Sequence, residues 1–263
     1  MGGARQRIAM VVEFDGRPFH GWQQQKNAVS VQQMLQTALR QIEGRAVLVE
    51  AAGRTDAGVH AEAMLVHADI SAKRWQRSHL AYLHGCNSLL PESIRVIGLR
   101  AVADDFHARF HCLGRAYTYR IWNRNTASAL QQWRHWWMPR PLDLTAMQAA
   151  ASSCIGKHDF SALRAAGCQA PSAVKTIRTL SLQRHGACIE LHVAADGFLY
   201  HMVRNLVGNL VEIGTGKRAP ESLSALLAAG DRSLGAATAP AHGLYFANAE
   251  YADFQAVDLI GQV

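Results

Sequence analysis

The sequence predicts an α+β fold made of two halves, and three observations lead to this prediction. Apolar, β-branched runs alternate with segments whose apolar residues recur at helical spacing. Each half has the order strand, helix, strand, strand, which favours antiparallel or mixed sheets covered by helices on one face. The 263 residues suffice for one large domain or two small ones. We expect the boundary near Ala103, which gives domains 1–102 and 103–263.

The first half begins with a strand at residues 7–14, RIAMVVEF, which are apolar and rich in β-branched side chains. Ser30 is a suitable N-cap for a helix that Gly44 closes, because the apolar residues between them recur every three or four positions. The other predicted elements of this half are strands at 46–51, 63–70 and 94–102 and a helix over 75–86.

The second half repeats this alternation. Residues 174–183 and 187–196 read as a β-hairpin that turns at 184–186. Residues 200–214 predict a helix, because their apolar side chains fall on one side. The remaining predicted elements are strands at 116–123 and 243–251 and helices over 143–154 and about 220–229.

The composition is moderately basic, with 27 Lys and Arg against 20 Asp and Glu, a net charge of +7 and a pI near 9.4. This excess is compatible with a polyanionic partner such as RNA. Five scattered cysteines form no CxxC pair, which favours reduced thiols over a disulfide framework or a zinc site. No apolar run reaches the ~20 residues that span a bilayer, and the N-terminus does not resemble a signal peptide. We therefore expect a cytoplasmic protein without a membrane partner.

The stretch GRTDAGVHA at residues 53–61 is the strongest candidate for chemistry. It places Asp56 in a short loop after a predicted strand, beside Arg54 and between Gly53 and Gly58. The glycines permit left-handed backbone and close approach of a ligand, and an arginine can bind phosphate or keep a carboxylate ionised. The alternative is an ordinary turn in which Asp56 bonds its own backbone.

This stretch closely resembles the signature of the TruA family of tRNA pseudouridine synthases, and other motifs match that family in the same order. The resemblance covers nearly the whole chain. The further matching segments are VEFDGRPFHGWQQQ (12–25), SVQQMLQTAL (30–39), DDFHARF (104–110), YTYRIWN (117–123), GFLYHMVRNLVG (197–208) and GLYF (243–246).

The resemblance implies two ferredoxin-like halves whose sheets join into one extended sheet, with an active-site cleft at the centre. It implies a homodimer that modifies uridines of the tRNA anticodon stem-loop, at the positions conventionally numbered 38, 39 and 40. It also implies that Asp56 is the catalytic nucleophile. No metal or organic cofactor is expected.

The reaction explains why an aspartate suffices. Pseudouridine formation breaks the N1–C1′ bond of uridine, rotates the base and rejoins it through C5, with no oxidation and no phosphate energy. A solvent-exposed aspartate has a pKa of about 3.9, so it is ionised at neutral pH and can act without a metal. The sequence leaves open whether Asp56 attacks C6, adds to C1′ or takes a proton from C2′.

Four further residues match family positions that bind the substrate. Tyr117 corresponds to the active-site tyrosine, whose ring stacks on uracil and whose hydroxyl is a candidate for proton transfer at C5. Arg204 corresponds to the arginine that pairs with the catalytic aspartate, and Leu244 to an aliphatic residue of the uracil pocket. Arg54 corresponds to the residue that replaces the flipped nucleotide or holds its phosphate. The alternatives are a core tyrosine, a solvated helix charge and an ordinary core leucine.

Other signals are weaker. His107 and His111 have an HxxxH spacing, but no acidic or cysteine ligand is near them in the sequence, which argues against zinc. The segment Gly214–Lys217 departs from a Walker motif and indicates a helix C-cap. An aromatic–basic cluster at 133–140 is a candidate for RNA stacking or for packing on an edge strand.

Two departures from the family pattern put local RNA contacts in doubt. Ala116 and Thr118 flank Tyr117 where relatives are often more basic, and Lys175 stands where an arginine is expected. Two rival functions remain. A non-catalytic RNA-binding module would not need Asp56, and a pseudouridine synthase for another RNA would differ in its basic surface.

Overall fold

The computed structural model of the chain describes residues 4–261, which divide into two compact units. The first unit contains the described residues up to Leu113 and those from Phe246 onward, and the second is Gly114–Tyr245. Within residues 4–261, no helix is both long enough and apolar enough to cross a membrane. The division into domains 1–102 and 103–263 stays a prediction.

The first unit is built on four antiparallel strands in the order β4-β1-β3-β2. Helices α1 and α3 pack side by side. This βαββαβ arrangement is the ferredoxin-like pattern. Its elements are β1 (Arg5–Phe14), α1 (Val31–Glu43), β2 (Val49–Ala51), β3 (His60–Ser71), α2 (Ala72–Arg77), α3 (Leu80–Leu89) and β4 (Ile94–Ala101).

The second unit contains the same βαββαβ order with three added elements, β6, β7 and α6. Five of its strands lie in the order β6-β5-β9-β8-β7. Only the β5–β6 pair among these is parallel. Strand β10 begins in this unit and continues along the chain into the first. The elements are β5 (Gly114–Asn123), β6 (Trp136–Met138), α4 (Leu144–Ser152), β7 (Gly156–Asp159), β8 (Val174–His185), β9 (Cys188–Ala195), α5 (Met202–Gly214), α6 (Ser222–Ala229) and β10 (Leu244–Glu250).

The predicted α+β class is therefore confirmed, with antiparallel and mixed pairing and six α-helices among the described residues. The caps of α1 are also as predicted. The Ser30 hydroxyl accepts a hydrogen bond from the Gln33 amide at 3.3 Å, and Gly44 adopts a left-handed φ of 71°. Helix α1 buries Val31 and Leu35 together with two further apolar residues one turn on.

Several predicted bounds were wrong. The helix predicted over 75–86 is two helices, because Ser78 ends α2 in extended backbone and its hydroxyl then accepts a hydrogen bond from Ala81 N–H at the start of α3. The strand predicted at 46–51 begins only at Val49, because the pairing with β3 starts there, opposite Ala68. Strands β6 and β7 were not predicted, because three or four residues are too few for a local pattern.

Residues near the C-terminus complete the first unit. The Tyr251 hydroxyl donates a hydrogen bond to the Ala108 carbonyl at 2.7 Å, and the rings of Phe106, Tyr251 and Phe254 pack together. Gly98 in β4 lies so close to Leu259 that an added Cβ would be 2.2 Å from its carbonyl oxygen. The segment that follows β10 is thus part of the packing of β4 and of the Phe106 region.

Candidate active site

The Asp56 loop connects β2 to β3 within the first unit. Strand β2 pairs with the middle of β3, so that Ala51 faces Val66. Asp56 itself is partly buried, and its carbonyl accepts a hydrogen bond from Val59 N–H at 3.1 Å. Gly58 has a left-handed φ of 79°, which closes this turn. The turn therefore holds the backbone of Asp56 in one conformation.

A second loop, between β1 and α1, packs against this turn. Gly21 has a φ of 87°, and a Cβ added there would be 2.6 Å from the Thr55 carbonyl oxygen and 3.2 Å from the Ala57 amide. The same Thr55 oxygen accepts a hydrogen bond from Trp22 N–H at 3.1 Å, and the Trp22 side chain is buried. Only a glycine allows the two backbones to approach this closely.

A similar contact fixes the other end of the loop. A Cβ at Gly16 would be 2.0 Å from the Val59 carbonyl oxygen, and Gly16 N–H donates to His60 Nδ1 at 3.1 Å. Burial opposes ionisation of the neighbouring Asp15, but hydrogen bonds from Arg17 outweigh it and lower the pKa of Asp15. The Asp56 turn is thus held by backbone contacts on both sides.

Arg54 lies in the same loop and is exposed. Within residues 4–261 its guanidinium has no hydrogen bond or ion pair with the protein. Its charge is therefore available to an anionic ligand. Both predicted loop residues lie at the surface of the first unit, where Arg54 is exposed and Asp56 is partly buried.

The other three predicted residues lie in the second unit. Tyr117 is on β5, where only 8% of it is exposed, and its ring meets the Phe198 ring edge-on at 5.0 Å. Tyr119 lies two residues further along the strand and therefore points to the same face of the sheet. Tyr119 is fully buried.

Tyr119 connects this face to Arg204 and Leu244. Its hydroxyl donates to the Pro240 carbonyl at 2.8 Å, and a Cβ at Gly243, directly before Leu244, would be 2.7 Å from its ring. Arg204 on α5 donates from Nε to the Ala239 carbonyl at 2.8 Å, and the Ala239 amide donates back to the Arg204 carbonyl at 3.1 Å. Arg204 and Leu244 are therefore joined through the segment 239–243.

The pKa shifts of Tyr119 and His242 both include a contribution from the charge of Arg204. Burial raises the pKa of Tyr119 well above its usual value, and the charge of Arg204 opposes that rise. Burial lowers the pKa of His242, and the same Arg204 charge contributes to the lowering. Arg204 is thus near both rings, and His242 is neutral at physiological pH.

Polar residues of α5 hold the segment that leads to Leu244. Asn205 is fully buried; its amide donates to the Leu163 carbonyl at 2.8 Å, and its oxygen accepts from the Thr238 hydroxyl at 2.7 Å. One turn later, a Cβ at Gly208 would be 2.1 Å from the Ala237 carbonyl oxygen. Helix α5 therefore fixes residues 236–239 by direct backbone contact and by buried hydrogen bonds.

One group of potential metal ligands occurs in residues 4–261, and it consists of Glu50, His67 and His107. Backbone amides donate to Nδ1 of both histidines: Ala108 to His67 at 3.2 Å, and Arg109 to His107 at 3.1 Å. A ring that accepts a hydrogen bond at Nδ1 carries its proton on Nε2, and His107 Nε2 contacts Glu50 at 3.1 Å. With both lone pairs engaged, this group does not fit a metal ion.

Sequence reasoning missed the residues that hold the predicted ones in place. These are Gly16 and Gly21 behind the Asp56 turn, and Tyr119, Asn205 and His242 around Arg204. For the glycines, the available signal was their occurrence in one loop between two predicted elements. The predicted C-cap at the end of α5 is confirmed, since Gly216 adopts a φ of 72°.

The matching family and three similar proteins are all described by the same activity. The sequence profile of a family described as tRNA pseudouridine synthase matches residues 10–111 and 150–252. A tRNA pseudouridine synthase A of Rhodospirillum centenum is 46% identical over 246 residues, which cover 94% of this chain and 100% of that protein. Proteins of the same name from Alcanivorax borkumensis and Hydrogenovibrio crunogenus are each 43% identical, over 95% and 93% of this chain and 93% and 92% of their own lengths.

Proposed function

We propose that this chain, which belongs to the tRNA pseudouridine synthase family, isomerises uridines of the tRNA anticodon stem-loop with Asp56 as its nucleophile. Membership of the family makes the protein an isomerase that converts uridine to pseudouridine in tRNA. The anticodon stem-loop and the role of Asp56 are the parts that we add.

The geometry of the Asp56 turn is the observation that carries this proposal. A nucleophile must be held in a fixed position and must remain accessible to the substrate. Asp56 meets both conditions, because backbone contacts from Gly16 and Gly21 hold its loop while the residue itself stays partly exposed. An ordinary surface turn would not need two such close approaches.

The reaction needs no co-reactant, because the bonds that break and the bonds that form balance. The N1–C1′ bond of uridine breaks and a C5–C1′ bond forms, while C5 loses a proton and N1 gains one. Asp56 acts as the nucleophile in the first step, and Tyr117 binds the uracil and moves the C5 proton. Arg204 and Leu244 bind the substrate in this scheme, and the exposed Arg54 contacts RNA.

We further propose that the protein acts in the cytoplasm and forms a homodimer. The moderately basic composition suits a tRNA partner. Three bacterial relatives that share over 40% of their residues with this chain carry the name of a tRNA-modifying enzyme. We assign the same three anticodon positions, 38 to 40, that the resemblance implies.

The test maps pseudouridine in tRNA from cells that lack this gene, with wild type or Asp56→Asn returned. We expect wild type alone to restore pseudouridine at the anticodon positions. With purified protein, Asp56→Asn should make no product while its Kd for tRNA stays within about tenfold of wild type.

The matched control is Asp253→Asn, which removes an exposed carboxylate of the same unit and should leave turnover unchanged. Retention of a tenth of wild-type turnover by Asp56→Asn would exclude its role as nucleophile. Restoration of pseudouridine only at other sites would identify a different RNA target.

A further inference from the structure

We infer that residues 124–141, the aromatic–basic arm, form a second RNA-binding surface, on which the Trp133 ring stacks on a base and Arg124 and Arg140 bind phosphates. This inference rests on the proposed function, because it takes tRNA as the ligand. The arm joins β5 to α4, and β6 within it pairs in parallel with the end of β5. It lies in the stretch between the two segments that the family's sequence profile matches.

The charge of the arm suits a polyanion. No acidic residue occurs between Asp105 and Asp143. That interval holds six arginines: Arg109, Arg115, Arg120, Arg124, Arg134 and Arg140. Arg120, which lies outside the arm, forms an ion pair with Glu190 of β9. Within residues 4–261, Arg124 and Arg140 of the arm form no ion pair with an acidic side chain. Such basic side chains provide counterion-release affinity for a phosphate backbone.

A cavity beside the arm has the same character. Its volume is about 530 Å³, and its lining includes Arg124, Arg184 and Asn125 but no acidic residue. Arg124, Arg140 and Arg184 are exposed. Within residues 4–261, none of these three arginines forms an ion pair with an acidic side chain. Their charges are therefore not neutralised by the protein itself.

The arm is rigidly attached. The Asn123 amide donates to the Met138 and Arg140 carbonyls at 3.0 and 2.6 Å, and Trp137 Nε1 donates to the Arg124 carbonyl at 3.0 Å. The Tyr245 hydroxyl donates to the Arg134 carbonyl at 2.8 Å. Side chains on a pre-ordered segment lose less conformational entropy when they bind a ligand.

Trp133 is the most unusual residue of the arm. Its side chain is 56% exposed, and its backbone has a left-handed φ of 63°, which costs about 1–3 kcal/mol for a bulky residue. Its ring meets His242 edge-on at 5.5 Å, two residues before Leu244. An exposed ring held at this cost beside the Leu244 segment is suited to stack on a nucleotide near the target uridine.

The RNA is a better occupant of this surface than a second copy of the chain. An interface between identical copies would bring these unneutralised arginines together, and like charges at an interface are unfavourable. Stacking of bases on aromatic rings combined with arginine contacts to phosphates is the usual mode of single-stranded RNA binding. The loop of a tRNA arm offers unpaired bases and phosphates together.

The test uses the full-length protein and unmodified tRNA, with Kd measured across a salt series. Trp133→Ala should raise Kd about tenfold, within the range known for base stacking, and Trp133→Phe should recover most of this loss. The double variant Arg124→Gln with Arg140→Gln should reduce the slope of log Kd against log salt by about 1.4 to 1.8, as two phosphate contacts are lost.

Two controls match these changes. Leu130→Ala removes an apolar side chain that is 92% exposed on the same arm, and Lys157→Gln removes one charge from β7, at the opposite edge of the sheet of this unit. Both should bind tRNA within twofold of wild type. Thermal unfolding of every variant separates loss of binding from loss of fold.

Three outcomes would overturn the inference. Unchanged Kd and salt slope in folded Trp133 and arginine variants would show that the arm does not bind RNA. Equal losses in Trp133→Phe and Trp133→Ala would exclude ring stacking. A change of oligomeric mass that tracks the loss of binding would assign the arm to contact between copies. Failure of the proposed function is distinct, because wild type would then not modify the anticodon stem-loop.

Discussion

Replacement of Gly21 by alanine should displace the Asp56 turn without unfolding the protein. A Cβ at this position would be 2.6 Å from the Thr55 carbonyl oxygen, whereas real Cβ contacts stay at or above 3.0 Å. The two backbones must therefore separate by at least about 0.4 Å (3.0 − 2.6). Catalytic groups tolerate about 0.5 Å of error, and misplacement of about 1 Å can cost 100-fold in rate. We expect the single-turnover rate to fall about tenfold.

Gly44→Ala is the matched control for this change. Gly44 also has a left-handed φ, 71° against 87° for Gly21, but an added Cβ there would meet no atom within 4 Å. Both variants place a side chain at a positive φ, which costs about 1–2 kcal/mol. Only Gly21→Ala adds the collision with Thr55, so the difference between the two variants isolates the collision.

The assay is single-turnover pseudouridine formation on an anticodon stem-loop, together with thermal unfolding of each variant. We expect Gly44→Ala to lower the unfolding temperature while its rate stays within twofold of wild type. Equal rates for the two variants, at equal folded fractions, would show that Gly21 does not position the turn that carries Asp56.

Three further predictions concern His67, Arg204 and Asn205. Burial, followed by the charges of His107 and Arg7, lowers the pKa of His67 from 6.5 to about 4, so between these values the unfolded state binds a proton that the folded state does not. The free energy of unfolding should therefore fall as pH drops from 6.5 to about 4, by about 2 kcal/mol after allowance for solvent screening. His67→Gln should flatten a plot of unfolding free energy against pH. An unchanged slope in this variant would contradict the prediction. Arg204→Lys loses the Nε donor to the Ala239 carbonyl and should lower turnover about tenfold in a folded protein, which steady-state kinetics on tRNA would check. Asn205→Ala leaves buried partners unsatisfied and should cost about 3 kcal/mol in urea unfolding, and a loss below 1 kcal/mol would mean that the site repacks.

Local patterns were sufficient to predict α1, α5 and the β8–β9 hairpin. Each has a strong internal signal: Ser30 and Gly44 as caps, apolar side chains on one side of α5, and a turn between two apolar strands. The helix break at Ser78 was missed, because a serine alone does not mark a helix end in the sequence. It ends α2 here because its hydroxyl accepts a hydrogen bond from the Ala81 backbone N–H.

The candidate site was predictable only in part, for a related reason. Asp56 stood out in its own loop, but Gly21 contacts that loop across more than thirty positions of sequence, and no local period reports such a contact. Tyr119 and Asn205 look like ordinary core and helix residues in the sequence. Their relation to Pro240 and Thr238 exists only after the second unit has folded.

The first unit is synthesised first but completes its packing last, because it includes the residues that follow β10. The chain is made from its N-terminus, so β1 to β4 leave the ribosome well before Tyr251 and Leu259 exist. Until those residues arrive, Phe106 lacks the rings of Tyr251 and Phe254, and the surface of β4 at Gly98 lacks the backbone that covers it. The unit that carries Asp56 is therefore the first to be synthesised, and its packing is finished only after the whole second unit has been made.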